Sequence, residues 1–158
     1  MKRASIAILL AFCVFAFAVA ACGGSGSQGQ LSQSAYKGKL AAVLNQVGTA
    51  HSGLARGASR STKISQVQAV LLHYARTEEQ IGNELSKLKP PANAEAANAQ
   101  LAQGLHDESA QIRVLVPGLA KYKTVRDAFA YLQTVGHTKG GREQVAAFAK
   151  LKKLGYTG

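Results

Sequence analysis

Residues 64–91 read ISQVQAVLLHYARTEEQIGNELSKLKPP, and this stretch decides the fold. Ile64, Val67, Leu71, Tyr74, Glu78, Ile81, Leu85 and Leu88 follow one another in alternating steps of three and four. That spacing holds them on one narrow stripe of an α-helix, a seam of coiled-coil type. Lys87 and Lys89 stand in the last turn, where cations suit the negative end of the helix dipole. Pro90 and Pro91 then stop the helix, because proline has no N–H to donate. In front of it, Arg60-Ser61-Thr62-Lys63 supplies a turn, with Ser61 or Thr62 as the N-cap.

The flanking segments repeat the pattern. From Leu31 to about Ala58, helical spacing links Tyr36, Leu40, Val43, Leu44, Val47, His51 and Leu54, although Gly48, Gly53 and Gly57 weaken the second half. A third helix is expected from about Pro91 or Ala92, with Leu101, Leu105, Glu108, Ile112 and Leu115 inward and Pro117-Gly118 as its end. Tyr122, Val125, Phe129 and Leu132 predict a helix from about Leu119 to Val135, and Gly136 to Gly141 break it. Val145, Phe148, Leu151 and Leu154 predict a last helix, with Gly155 as its stop. No segment alternates with period two, so no strand is expected. Short connections favour antiparallel neighbours. The expectation is an all-α fold: an up-down antiparallel helical bundle of about four layers over residues 31–158, the last layer split into two short helices.

The chain begins Met1-Lys2-Arg3, and then runs apolar from Ala4 to Ala21. A positive start, an uncharged apolar run and small closing residues make the three-part pattern of a secretory signal. Val19-Ala20-Ala21-Cys22 resembles the lipobox of bacterial lipoproteins. The resemblance implies diacylglyceryl attachment to the Cys22 thiol, cleavage before Cys22 and acylation of the new amino terminus, so that residues 1–21 leave as a signal peptide. Cys13 competes poorly, because bulky Phe12 precedes it. An uncleaved anchor helix, or an ordinary signal cut after Ala21, would export the chain equally well. Residues 22–30, CGGSGSQGQ, then form a flexible tether. Eight residues of this composition span roughly 15 Å as a random coil.

The cut changes what composition means. Of 19 basic residues Lys2 and Arg3 leave, so 17 face 8 acids. Cys22 becomes the sole cysteine, so the domain has no disulfide and must be held by packing. Ala, Leu and Val dominate its apolar set, which favours close helix approach. The excess of positive charge on an exported domain reads first as a solvated basic face that serves solubility; the partners it would otherwise suit are anionic phospholipid head groups, an anionic cell-wall polymer or an envelope protein, and not nucleic acid. Lys121, Lys123 and Arg126, together with Lys150, Lys152 and Lys153, either form one positive patch or stand as charges on a solvated face. The localisation that follows is the cell membrane, lipid-anchored, on the extracytoplasmic face.

Leu85-Ser86-Lys87-Leu88-Lys89-Pro90-Pro91, followed by Leu101 to His106 and by Lys152-Lys153-Leu154-Gly155-Tyr156, is similar to a pattern in small helical-bundle lipoproteins of actinobacteria. The resemblance implies the fold and no particular activity.

Candidate chemistry is sparse. With the second turn centred near Pro90, His73 and His106 lie nearly level, and His51 comes within a turn of them. A metal or small-ligand site built from His51, His73 and His106 is the alternative to a plain binding or structural role. Only His51 shares its helix's apolar face. Glu78 and Glu108 both occupy the seam, but the same arithmetic separates them by about 9 Å in height, too far for a tight acid–base pair. Gly140-Gly141, after Lys139, opens a helix and reads as a plain turn, with an anion held at the helix start as the alternative. No nucleophile elbow, phosphate loop or haem-attachment motif is present, so no enzyme activity and no cofactor are expected.

Overall fold

The computed structural model describes residues 29–135 and 138–157; the leader, Cys22 and the tether to residue 28 lie outside the described residues. Five α-helices follow in order: α1 Gln33–Arg60, α2 Ile64–Lys87, α3 Glu95–Leu115, α4 Val125–Val135 and α5 Lys139–Lys153, with a 3₁₀ helix Val116–Lys121 after α3. The described residues contain no strand. None of their helices is long and apolar enough to cross a membrane.

α1 packs on α2, α2 on α3 and α3 on α5, which makes the all-α antiparallel bundle expected from the spacing. One apolar cluster draws on all four: Tyr36, Leu40 and Val47 from α1, Ile81 and Leu85 from α2, Leu101 and Leu105 from α3, and Ala147 and Leu151 from α5. Burying each of the larger side chains contributes roughly 1.5–3 kcal/mol. The last layer is split, but its two pieces have different places. α5 alone is the fourth side of the bundle. α4 packs on α2 at the far end, where Val67, Leu119 and Ala128 form a separate small core.

Helix ends explain most of the departures from expectation. α2 starts after Lys63, not after a Ser61 or Thr62 cap, because Gln66 Oε1 reaches back to accept the N–H groups of Thr62 and Lys63 at 2.8 and 3.1 Å. α3 begins at Glu95, later than expected, because the chain turns over residues 92–94 after the two prolines. Leu119 belongs to the 3₁₀ segment, and α4 starts only at Val125, where Thr124 Oγ1 accepts the Asp127 N–H at 3.1 Å.

Gly140 and Gly141 do not break the chain. Thr138 caps α5 by accepting the Gly141 N–H at 2.9 Å, and both glycines lie inside the first turn. α5 turns Gly140, Gln144, Ala147 and Leu151 inward, so Val145 is 70% exposed instead of buried. At its other end Gly155 adopts φ +77°, the left-handed conformation that glycine reaches without strain. Tyr156 N–H bonds to Leu151 O and Gly155 N–H to Lys152 O, a Schellman end. This folds Tyr156 back onto the core, edge-on to Tyr36 with ring centroids 5.0 Å apart.

The basic residues in the last third of the chain do not form one positive patch. Lys121, Lys123 and Arg126 lie at the α4 end of the bundle, whereas Lys150, Lys152 and Lys153 lie at the opposite end, where α5 finishes.

Candidate functional site

A polar layer interrupts the core at mid-height. Below it lies the cluster around Leu85 and Leu105; above it lies a second cluster of Tyr74, Ala75, Ile112 and Val116. Each of the four long helices places one or two side chains in the layer: His51 from α1, Tyr74 and Glu78 from α2, Glu108 from α3 and Gln144 from α5.

Glu78 is wholly buried, at 0% exposure. Gln144 Nε2 donates to Glu78 Oε2 at 3.1 Å and to Glu108 Oε2 at 2.6 Å, so one amide nitrogen spends both protons bridging two carboxylates. The seam positions foretold by the spacing are therefore occupied, but the 9 Å separation is wrong. The reckoning centred the turn on Pro90, and the late start of α3 brings Glu108 nearly level with Glu78.

His51 Nδ1 lies 3.0 Å from the Val47 carbonyl oxygen, so that nitrogen carries the ring proton and donates it. Nε2 is then the acceptor, and the Tyr74 hydroxyl donates to it at 3.0 Å. The Tyr74 hydroxyl stands between His51 and Glu78, and Glu78 Oε1 is buried with no other hydrogen-bond partner among the described residues. Burial first, and then the Glu108 charge, push the Glu78 carboxyl up to about 7; Tyr74, His51 and Gln144 pull the other way. Burial and the two carboxylates also raise Tyr74. A proton on Glu78 has the Tyr74 oxygen beside it, and Tyr74 leads on to His51 at the rim. The arrangement is a buried polar chain that runs from Glu108 through Gln144, Glu78 and Tyr74 to His51.

Beside this layer a groove of about 850 Å³ opens between α1 and α2. Ala50, Leu54 and Val70 give it an apolar lining, Tyr74 reaches it from the polar layer, and His73 and Arg56 stand on it. His106 lies elsewhere. It rests against Gly82 and lines a different groove of about 600 Å³ beside Lys89 and Pro90. The structure thus leaves the three histidines apart: His73 lines the α1/α2 groove, His51 does not, and His106 lines the other groove. Among the described residues no group of three or more His, Cys, Asp or Glu side chains is arranged to hold a metal ion.

A second polar element was missed from sequence. Buried Asn98 accepts the Tyr36 hydroxyl at 3.1 Å and donates to the Leu85 carbonyl at 3.0 Å, which ties α1, α2 and α3 together. Asn98 lies in an Ala-rich half-helix with few large apolar residues to set the phase. Gln144 was hidden for a similar reason, beside a valine that seemed to be the inward residue. No protein-family model, no curated protein and no solved structure matches this chain.

Proposed function

We propose that this chain is a membrane-anchored extracytoplasmic lipoprotein whose helical bundle has a binding role at the cell envelope. The observation that carries the reading is the order of its parts: Val19-Ala20-Ala21-Cys22, then a Gly/Ser/Gln tether, then a bundle. The first described residues are fastened to that bundle at one end, where the Leu31 N–H donates to the Lys89 carbonyl at 2.8 Å. Lipid on Cys22 supplies the membrane attachment, and the bundle supplies the binding surface. Cys22→Ala should abolish incorporation of labelled fatty acid, leave the precursor uncleaved and shift its fractionation. Labelling that survives the substitution would remove the lipidation at Cys22 from the reading.

The α1/α2 groove supports a narrower form of the binding role, a small ligand with an apolar body held over Tyr74 and His73. This form keeps His73 and drops His51 and His106. Gly53 has open space where a Cβ would stand, so Gly53→Leu should fill the groove without disturbing the bundle. An apolar fluorescent dye that binds the native protein should lose its site in this variant; unchanged binding would place the site elsewhere.

A further inference from the structure

The bond from Leu31 to Lys89 fixes the end of the bundle at which the tether arrives. The start of α1, the end of α2, the start of α3 and the end of α5 converge there, joined by Tyr36, Tyr156 and Asn93. Six exposed lysines ring this end: Lys37 and Lys39 on α1, Lys87 and Lys89 at the end of α2, and Lys152 and Lys153 at the end of α5. None of the six forms an ion pair among the described residues; the ion pairs lie higher, between Arg113 and Glu79 and from Lys139 to Asp107 and Glu143. The described side-chain acids at this end are Glu84, bonded to Gln46, and Glu95. Leu154, 40% exposed, stands beside the lysines of α5.

We infer that this end of the bundle is a docking surface for the anionic phospholipid head groups of the membrane that holds the anchor. The inference rests on the lipoprotein reading, since the tether then brings this end, and not the Lys121 end, to the bilayer. The charge has the right sign, the lysines are unpaired, and their long stems let the ammonium groups reach head groups around Leu154. At physiological ionic strength such attraction fades over about 8 Å, and a flexible tether spanning roughly 15 Å lets the lysines reach that distance without holding them there. The bundle then stands with its helices along the membrane normal and its α1/α2 groove opening sideways.

The test uses the full, lipidated protein reconstituted into vesicles of phosphatidylcholine alone or of phosphatidylcholine with phosphatidylglycerol. A membrane-impermeant amine-acylating reagent is applied, and each lysine is followed by peptide mass spectrometry. The six lysines should react about five-fold more slowly on the anionic vesicles, and salt should abolish the difference. Lys63, Lys121 and Lys123, at the far end, should react equally on both. Equal rates at the six lysines would overturn the inference and leave the anchor intact. Protection by a soluble polyphosphate but not by anionic vesicles would also overturn it, in favour of a wall polymer. Failure to float with neutral vesicles would remove the anchor itself, and the docking surface with it.

Discussion

Gly140 of α5 lies so close to Gly104 of α3 that a Cβ on Gly140 would stand 2.4 Å from the Gly104 carbonyl oxygen and 2.4 Å from the Glu108 nitrogen. Both obstacles are backbone, so neither can swing aside. Gly140→Ala must therefore push α5 away from α3 and pull Gln144 off the two carboxylates. The expected loss is about 3 kcal/mol, at the upper end of overpacking costs, measured by urea or thermal unfolding. A change below about 0.5 kcal/mol would contradict this close approach.

The glycines of α1 predict the opposite sign. Gly38 and Gly48 have nothing within 4 Å of a Cβ position. Alanine there loses less backbone freedom on folding and clashes with nothing. Gly38→Ala and Gly48→Ala should each stabilise the protein by about 0.5–1 kcal/mol, with the increments adding in the double variant.

Glu78 sets a pH dependence whose sign follows from its proton. The ordinary value for this carboxyl is 4.5 and the folded value is about 7, so between them the native state binds the proton that the unfolded chain releases. Stability is therefore full below about pH 4.5, falls as pH rises and reaches its floor above about 7, a span of about 3 kcal/mol. Glu78→Gln mimics the protonated form. It should match the parent near pH 5, exceed it in melting temperature at pH 8 and flatten the slope between.

Tyr74→Phe removes the hydroxyl that donates to His51 Nε2. His51 stands at the rim, where water can replace the lost donor, so the cost should be only about 1 kcal/mol. The hydroxyl also helps hold Glu78 down, so its removal should move the pH transition upward. Melting curves across pH would show the shift, and a transition that stays in place would separate Tyr74 from the carboxyl.

The seam of α2 was legible because large apolar residues marked its phase from Ile64 to Leu85, and Glu78 came with it. Tyr36, Leu40, Val43 and Val47 on α1 and Gly155 after α5 were legible for the same reason: strong periodicity, or a residue with one conformational use. What escaped depended on distance between helices. A glycine reads as a breaker until a second backbone is seen against it, as with Gly140. The partnership of His51 with Tyr74 needed the register of a hairpin to a single residue, and the spacing placed His51 only within a turn of His73. Glu108 was misplaced by the same error, because the turn after Pro91 consumed residues that had been counted as helix.

The edge-on meeting of Tyr36 and Tyr156 has a kinetic consequence. α1, α2 and α3 pack as successive neighbours in the chain and α5 packs on α3 across the 3₁₀ segment and α4 alone, so most of the bundle forms through contacts of modest sequence separation, the kind that favours fast folding. The two tyrosines instead join the first helix to the residue beyond the last one, the most distant ring contact in the described chain. Closing so long a loop is entropically dear, so this contact belongs late in folding, after the barrier is crossed. Truncating Tyr156 to alanine should then leave the folding rate nearly unchanged and accelerate unfolding, so that the residue acts as a latch on the lifetime of the native state.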